Sequence, residues 1–240
     1  MSESGLPDYT VRMSARARRI RLTVSARDGL VVTLPQHVAT REAARAVAHR
    51  REWAISHLAA TEARRRALTA PPEALLPSVI ELPALNATWV VEYRQSASGG
   101  AVRVRANGPS LHVTGNVADA DACLSALRRW RDRAAHTGLA ALLEQCSKAT
   151  DIPYSRVSVR FQKTRWGSCS SAGTISLNRN LVFLPEALAR YVVMHELAHV
   201  QERGHGPGFW AHLGQLVPDA RALRARMREA GDMVPAWADA

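Results

Sequence analysis

Long apolar runs are missing from this 240-residue chain: no stretch of about 18 consecutive apolar residues occurs, so no membrane-spanning helix is expected. Cysteine is scarce. Cys123, Cys146 and Cys169 are odd in number and in no CxxC spacing, which argues against a disulfide framework and a thiolate metal site. Any metal must therefore use histidine or carboxylate. The opening residues MSESGLPDYTVRMSARARRIRL have no apolar segment behind their first basic residues, do not read as a secretory signal, and leave a cytoplasmic location expected. There is also no phosphate-cradling GxxxxGK[ST] loop and no internal repeat of solenoid period.

Lysine is nearly absent, with 2 against 30 arginines in a net charge of +11. The excess is uneven: residues 1–66 hold 13 arginines against 6 acidic residues, 67–115 balance at 3 and 3, and 116–240 hold 16 basic against 12 acidic residues. A basic N-terminal third suits nucleic acid or another polyanion, and suits a plain solvated surface equally well. With 47% hydrophobic and 22% charged residues, the chain otherwise has the composition of a globular protein with ample core.

Ile20, Leu22 and Val24, then Leu30, Val32 and Leu34, alternate with polar residues around Asp28-Gly29, which predicts a β-hairpin. From Thr40 to about Arg66, Ala43, Ala44, Val47, Ile55, Leu58 and Ala59 recur at helical spacing with Trp53 among them, predicting one long basic helix ending in Arg64-Arg65-Arg66. Cations there suit the helix dipole. The proline-containing LTAPPEALLP reads as a loop, followed by short strands at 79–82, 88–94, 101–105 and 110–113 with SASGG and NGPS as turns. A helix from about 118 to 148 carries Leu124, Leu127, Trp130, Ala134, Leu142 and Leu143; strands at 156–162 and 174–178 then bracket KTRWGSCSSAG. Pro185 opens a further helix that Gly204 is placed to close. A β-rich portion over 1–115 and an α+β portion over 116–240 are expected, as two domains or one continuous one.

Inside that last helix lies HELAHVQERGH, residues 195–205. Histidines four apart on a helix sit about 40° apart around its axis and about 6 Å along it, so His195 and His199 can reach one ion. Glu196 projects beside that ion, where it can take a proton from a bound water. A catalytic zinc needs a third protein ligand, and continuous helix would carry His205 about 15 Å away. Gly204 can take the left-handed conformation that ends the helix and lets His205 fold back, and Gly206-Pro207-Gly208 prevents re-entry. From the chain's 9 His and 12 Glu, HExxH with a third histidine at that offset is expected about 0.0006 times by chance, so a metal site is the reading. The glycine of the longer HExxHxxGxxH pattern would fall at Glu202, so that pattern does not apply. Glu202 is either a hydrogen-bond partner of the site or an exposed last-turn residue. His212 either supports the site or packs, and His37, His49, His57, His112 and His136 have no ligand companions.

KTRWGSCSSAGTISLNRNL (163–181), HELAHVQERGHGPGFW (195–210) and, more loosely, RARRIRLTVSARDGLVVTLP with its REW-containing helix resemble the YgjP-like metallopeptidases, a family related to the SprT and WLM zinc-dependent proteases. Gly204 is a departure, since the family more usually carries Asn there. The resemblance implies an α+β fold: a β-rich, Arg-rich N-terminal portion, then a zincin-like portion with the HExxH helix beside a small antiparallel sheet. It implies one zinc ion on His195, His199 and His205, with Glu196 as base, and makes WGSCS the strand and turn flanking the cleft. Such a strand could pair with an extended peptide. Arg165, Trp166, Gly167 and Ser168 are then candidate substrate-binding residues, Arg165 steering a carboxylate or polarised carbonyl and Trp166 lining a subsite or the core. Cys169 is packing or site lining, without support as a nucleophile, and Asn178 fixes a turn. The leading function is a zinc metallopeptidase acting on a peptide or protein, with no membrane partner. The alternatives are a metal-dependent hydrolase of nucleotides or phosphate esters, and a nucleic-acid-associated protease recruited through the N-terminal arginines.

Overall fold

The computed structural model describes residues 6–25, 28–69, 71–97 and 99–238, excepting the side chains of 25 and 63–69. Two compact units divide at the proline connection, Met1–Ala70 and Pro71–Ala240, and not at the expected 115/116 boundary.

In the first unit, β1 (Tyr9–Ser14), β2 (Arg21–Ser25) and β3 (Gly29–Pro35) form a sheet of order β1-β3-β2. The expected hairpin is β2–β3, pairing Leu22 with Val32 and Val24 with Leu30; residues 26 and 27 of its turn lie outside the described residues. β1 was not expected. It pairs parallel to β3, and its Val11 and Met13 stay exposed, so no alternating burial announces it. Leu30, Val32 and Leu34 are buried against Ala43, Val47 and Ala54. Those alanines and Val47 come from two helices, α1 (Glu42–His49) and α2 (Arg51–Thr69), where one was expected. Arg50 between them leaves helical geometry at φ −120°, ψ 29°. Both helices pack on β3. A seven-residue strand of about 23 Å is too short for a straight helix of about 40 Å to follow, and the break lets each segment find it. The side chains of Arg64, Arg65 and Arg66 lie outside the described residues.

The second unit opens with β4 (Val79–Leu82), β5 (Ala87–Gln95), β6 (Arg103–Asn107) and β7 (Ser110–Gly115), in the order β4-β5-β7-β6. Ser98 of the expected SASGG turn lies outside the described residues. Helix α3 (Ala120–Thr150) follows, capped by Asp119, whose carboxylate accepts the Ala122 N–H at 2.9 Å. Leu124, Leu127, Leu139 and Leu143 of α3 are buried. The helix touches β6 and also β8 (Arg156–Arg160), which explains the boundary: a cut at 115 would strip α3 of part of its apolar cover.

β8, β9 (Gly167–Cys169) and β10 (Thr174–Asn178) form the third sheet, of order β8-β10-β9. It is mixed where an antiparallel one was expected, because β10 runs antiparallel to β9 but parallel to β8. Residues 161–166 carry the chain across before the hairpin returns β10 to the centre. The same arrangement occurs three times: one strand, then a hairpin whose second strand lies parallel to the first, then a helix. Each time the hairpin's first strand is left at the sheet edge, and in the third sheet that strand is β9. The unit closes with α4 (Glu186–Gln201), α5 (Pro207–Leu216) and α6 (Ala220–Arg226). Among the described residues no helix is long and apolar enough to cross a membrane.

Candidate metal centre

Helix α4 places His195 and His199 one turn apart, as their spacing requires. It ends at Gln201, earlier than the expected stop at Gly204, with Glu202 extended at φ −119°, ψ 106°. Gly204 makes the turn itself at φ +110°, with open space around it, so backbone conformation and not room is what calls for glycine there. The reversal brings His205 Nε2 to 3.0 Å from His195 Nε2 and 3.2 Å from His199 Nε2. Phe209 of α5, 1% exposed, lies under the rings and stacks on His199 at 4.3 Å between centroids. Trp210 donates its indole N–H to the His205 carbonyl at 3.0 Å.

These contacts are hard to satisfy with protons alone. His199 Nδ1 is 2.9 Å from the Glu202 carbonyl, which can only accept, so the ring proton sits on Nδ1 and Nε2 presents a lone pair. Glu202 thus meets the site through its backbone; its side chain is exposed near Gly208. A neutral His205 can direct one Nε2 proton at only one neighbour. A cation among the three lone pairs satisfies all of them, and tetrahedral coordination at about 2.0 to 2.1 Å separates nitrogens by about 3.3 Å, close to what is present. Burial first, then the nearby His199, His205 and Arg224, push His195 down to about 4, keeping it the neutral imidazole that a metal needs. Burial, with His199 and Arg224, lowers His205 as well.

Glu196, next to His195 and about 100° around the helix from it, packs on β9. It is 5% exposed, and burial pushes its carboxyl up to about 7 against the opposing charge of Arg165. A Cβ on Gly167 would lie 2.7 Å from both Cγ and Oε1 of Glu196, so the carboxylate packs directly on bare backbone. Register fixes what the edge strand offers. Ser170 N–H donates to the Thr174 carbonyl and Asn178 N–H to the Trp166 carbonyl, so 166, 168 and 170 direct their backbone groups at β10. Gly167 and Cys169 direct theirs outward. Ser168, a candidate substrate-binding residue, turns its backbone to Ser176 and its side chain to the sheet face opposite the one Gly167 turns to Glu196.

Asn178, 4% exposed, holds the approach to β9, donating to the carbonyls of Gln162 at 2.7 Å and Arg165 at 2.9 Å while accepting the Asn180 N–H at 3.1 Å. Arg165 is exposed at the end of this pinned loop, and Trp166 is half-buried against the core. Burial, then Glu196, raises the Cys169 thiol, consistent with no nucleophilic role. His212 is half-buried on α5 and outside the histidine cluster. Phe209, Trp210 and the outward backbone of Cys169 escaped the sequence reading, although the apolar GFW directly after His205 was a signal that the histidines would be packed from below.

A family model described as YgjP-like, metallopeptidase domain, matches residues 18–230. The chain belongs to the YgjP-like metallopeptidase family. That makes it a metallohydrolase of the peptidase kind, and the three-histidine cluster fits the metal ion that the family implies. Among solved structures, the metallopeptidase zymogen abylysin of Pyrococcus abyssi is 26% identical over 37% of this chain and 90% of its own, with a TM-score of 0.34. The zymogen jannalysin of Methanocaldococcus jannaschii is 20% identical over 38% of this chain and 88% of its own, also with a TM-score of 0.34. Both likenesses are confined to little more than a third of this chain. No curated protein matches it.

Proposed function

We propose that this YgjP-like protein is a zinc-dependent peptidase in which His195, His199 and His205 hold one Zn2+ ion and Glu196 is the general base. The supporting observation is the convergence of three Nε2 atoms at the end of the helix that also carries the buried Glu196, the residue next to His195. Bound zinc supplies a Lewis acid that polarises a carbonyl and acidifies a water near neutral pH. Glu196 accepts the proton at its carboxylate and returns it to the leaving amine. Burial raises the Glu196 carboxyl to about 7, and a dication held at the histidines would favour the proton-accepting form. Gly167 and Cys169 pair through their outward N–H and C=O groups with an extended peptide, which adds a strand to β9 and holds the scissile bond in register with Glu196. Arg165 and Trp166 stand where that strand enters.

Exposed arginines near the centre also suit a phosphate, which keeps a nucleotide or phosphate ester as the second reading. Zinc-loaded protein assayed side by side on a peptide library and on nucleoside triphosphates is expected to cleave peptides and to stop on chelation; turnover of triphosphates alone would reverse the ranking. Recruitment to nucleic acid through the N-terminal arginines predicts affinity that falls steeply with salt, and absence of binding at low salt would leave those arginines as solvated surface.

A further inference from the structure

Two guanidinium groups approach the centre from separate elements. Arg165 comes from the loop before β9 and acts electrostatically on Glu196. Arg224 comes from α6, which packs on α4. Its guanidinium carbon lies 4.4 Å from the centroid of the Trp210 ring. That ring is fixed in turn: its N–H is bonded to the His205 carbonyl, and its centroid is 5.8 Å from that of His205 and 6.3 Å from that of His195. Arg224 is exposed, and among the described residues no carboxylate forms an ion pair with it.

An exposed cation near a site suited to a dication is well placed to receive an anion that approaches that site. Stacking on an indole face leaves the guanidinium edge free, and that edge is a planar fork of N–H donors matched to a carboxylate. We propose that Arg224, seated on Trp210 beside the histidines, anchors a carboxylate of the peptide substrate, either an acidic side chain or a free C-terminus. This rests on the peptidase reading above and adds the substrate's charge to it. Trp210 is then a positioning residue that sets both the His205 backbone and the height of the guanidinium.

The test uses matched fluorogenic peptides that differ only by Glu or Gln at each position around the scissile bond, and a parallel pair ending in carboxylate or amide. Wild-type protein is expected to prefer one acidic member by about 10- to 100-fold in kcat/KM, the size expected of a charge-assisted pair. Arg224→Gln should collapse that ratio through KM, and Arg224→Lys should restore part of it. The Glu pairs locate a side-chain carboxylate, and the carboxylate and amide pair locates a C-terminal one. A ratio unchanged in Arg224→Gln would overturn the anchor. Equilibrium binding of the same pairs to zinc-loaded Glu196→Gln protein, with and without Arg224→Gln, separates the two readings. Charge-selective binding lost with Arg224, but without peptide turnover by wild type, would overturn the peptidase reading alone; equal binding of both peptides would overturn the anchor alone.

Discussion

Glu196→Gln is expected to lower peptide hydrolysis by about 10²- to 10⁴-fold, the range for loss of a positioned general base, while leaving one zinc ion bound. The substitution is nearly isosteric. Glu196 packs on Gly167 with 5% of its surface exposed, and an amide fills the same space without the cost of burying a charge. In the proposed site the ligands would be three imidazoles that Glu196 does not hydrogen-bond, so metal content measured on purified protein should stay at one equivalent. Hydrolysis within about threefold of wild type would remove Glu196 from the proton-transfer role. Loss of zinc together with activity would instead mean that the carboxylate contributes to holding the ion.

The three-histidine cluster was legible because the chemistry of a metal site restricts spacing: two imidazoles reaching one ion demand i, i+4 on a helix, and a third beyond the helix demands a turn. His195, His199, His205 and the glycine turn could be named on those grounds, whereas the end of α4 at Gln201 could not, since Glu202 and Arg203 carry no terminating signal. The β2–β3 hairpin and the β10 strand were legible from alternation. β9 was not legible from alternation, because Gly-Ser-Cys is too short to show a period and becomes a strand only through pairing with β10. Which of its residues face outward is a matter of register, set by the bonds at Ser170 and Asn178, and register is not written in the segment itself. The same holds for Arg224: it lies 19 residues past His205 in a short helix of ordinary composition, and only the packing of α6 on α4 brings it to Trp210. What the sequence hides here is long-range placement, while the local demands of the metal are visible in it.

Gly167→Ala carries the second large effect, through the same carboxylate from the opposite side. The added methyl would sit 2.7 Å from Glu196 Cγ and Oε1, a separation that real contacts do not tolerate. Glu196 is on a buried helix face and Gly167 is paired to Leu177, so neither backbone yields freely and the carboxylate must swing away. A displacement of about 1 Å at the reacting group is enough for a loss of about 10²-fold in kcat, and overpacking costs about 1 to 3 kcal/mol of stability, readable as a lowered urea midpoint. Zinc content should be unchanged, because the three atoms nearest the added methyl all belong to Glu196 and none to a histidine. Coupling distinguishes this mechanism from general damage to the strand. In the Glu196→Gln background, Gly167→Ala should reduce the residual rate by far less than it does in wild type, since the base it displaces is already gone. Multiplicative losses in the double variant would show that Gly167 acts on the substrate directly, through the backbone edge it shares with Cys169, and not through the position of Glu196.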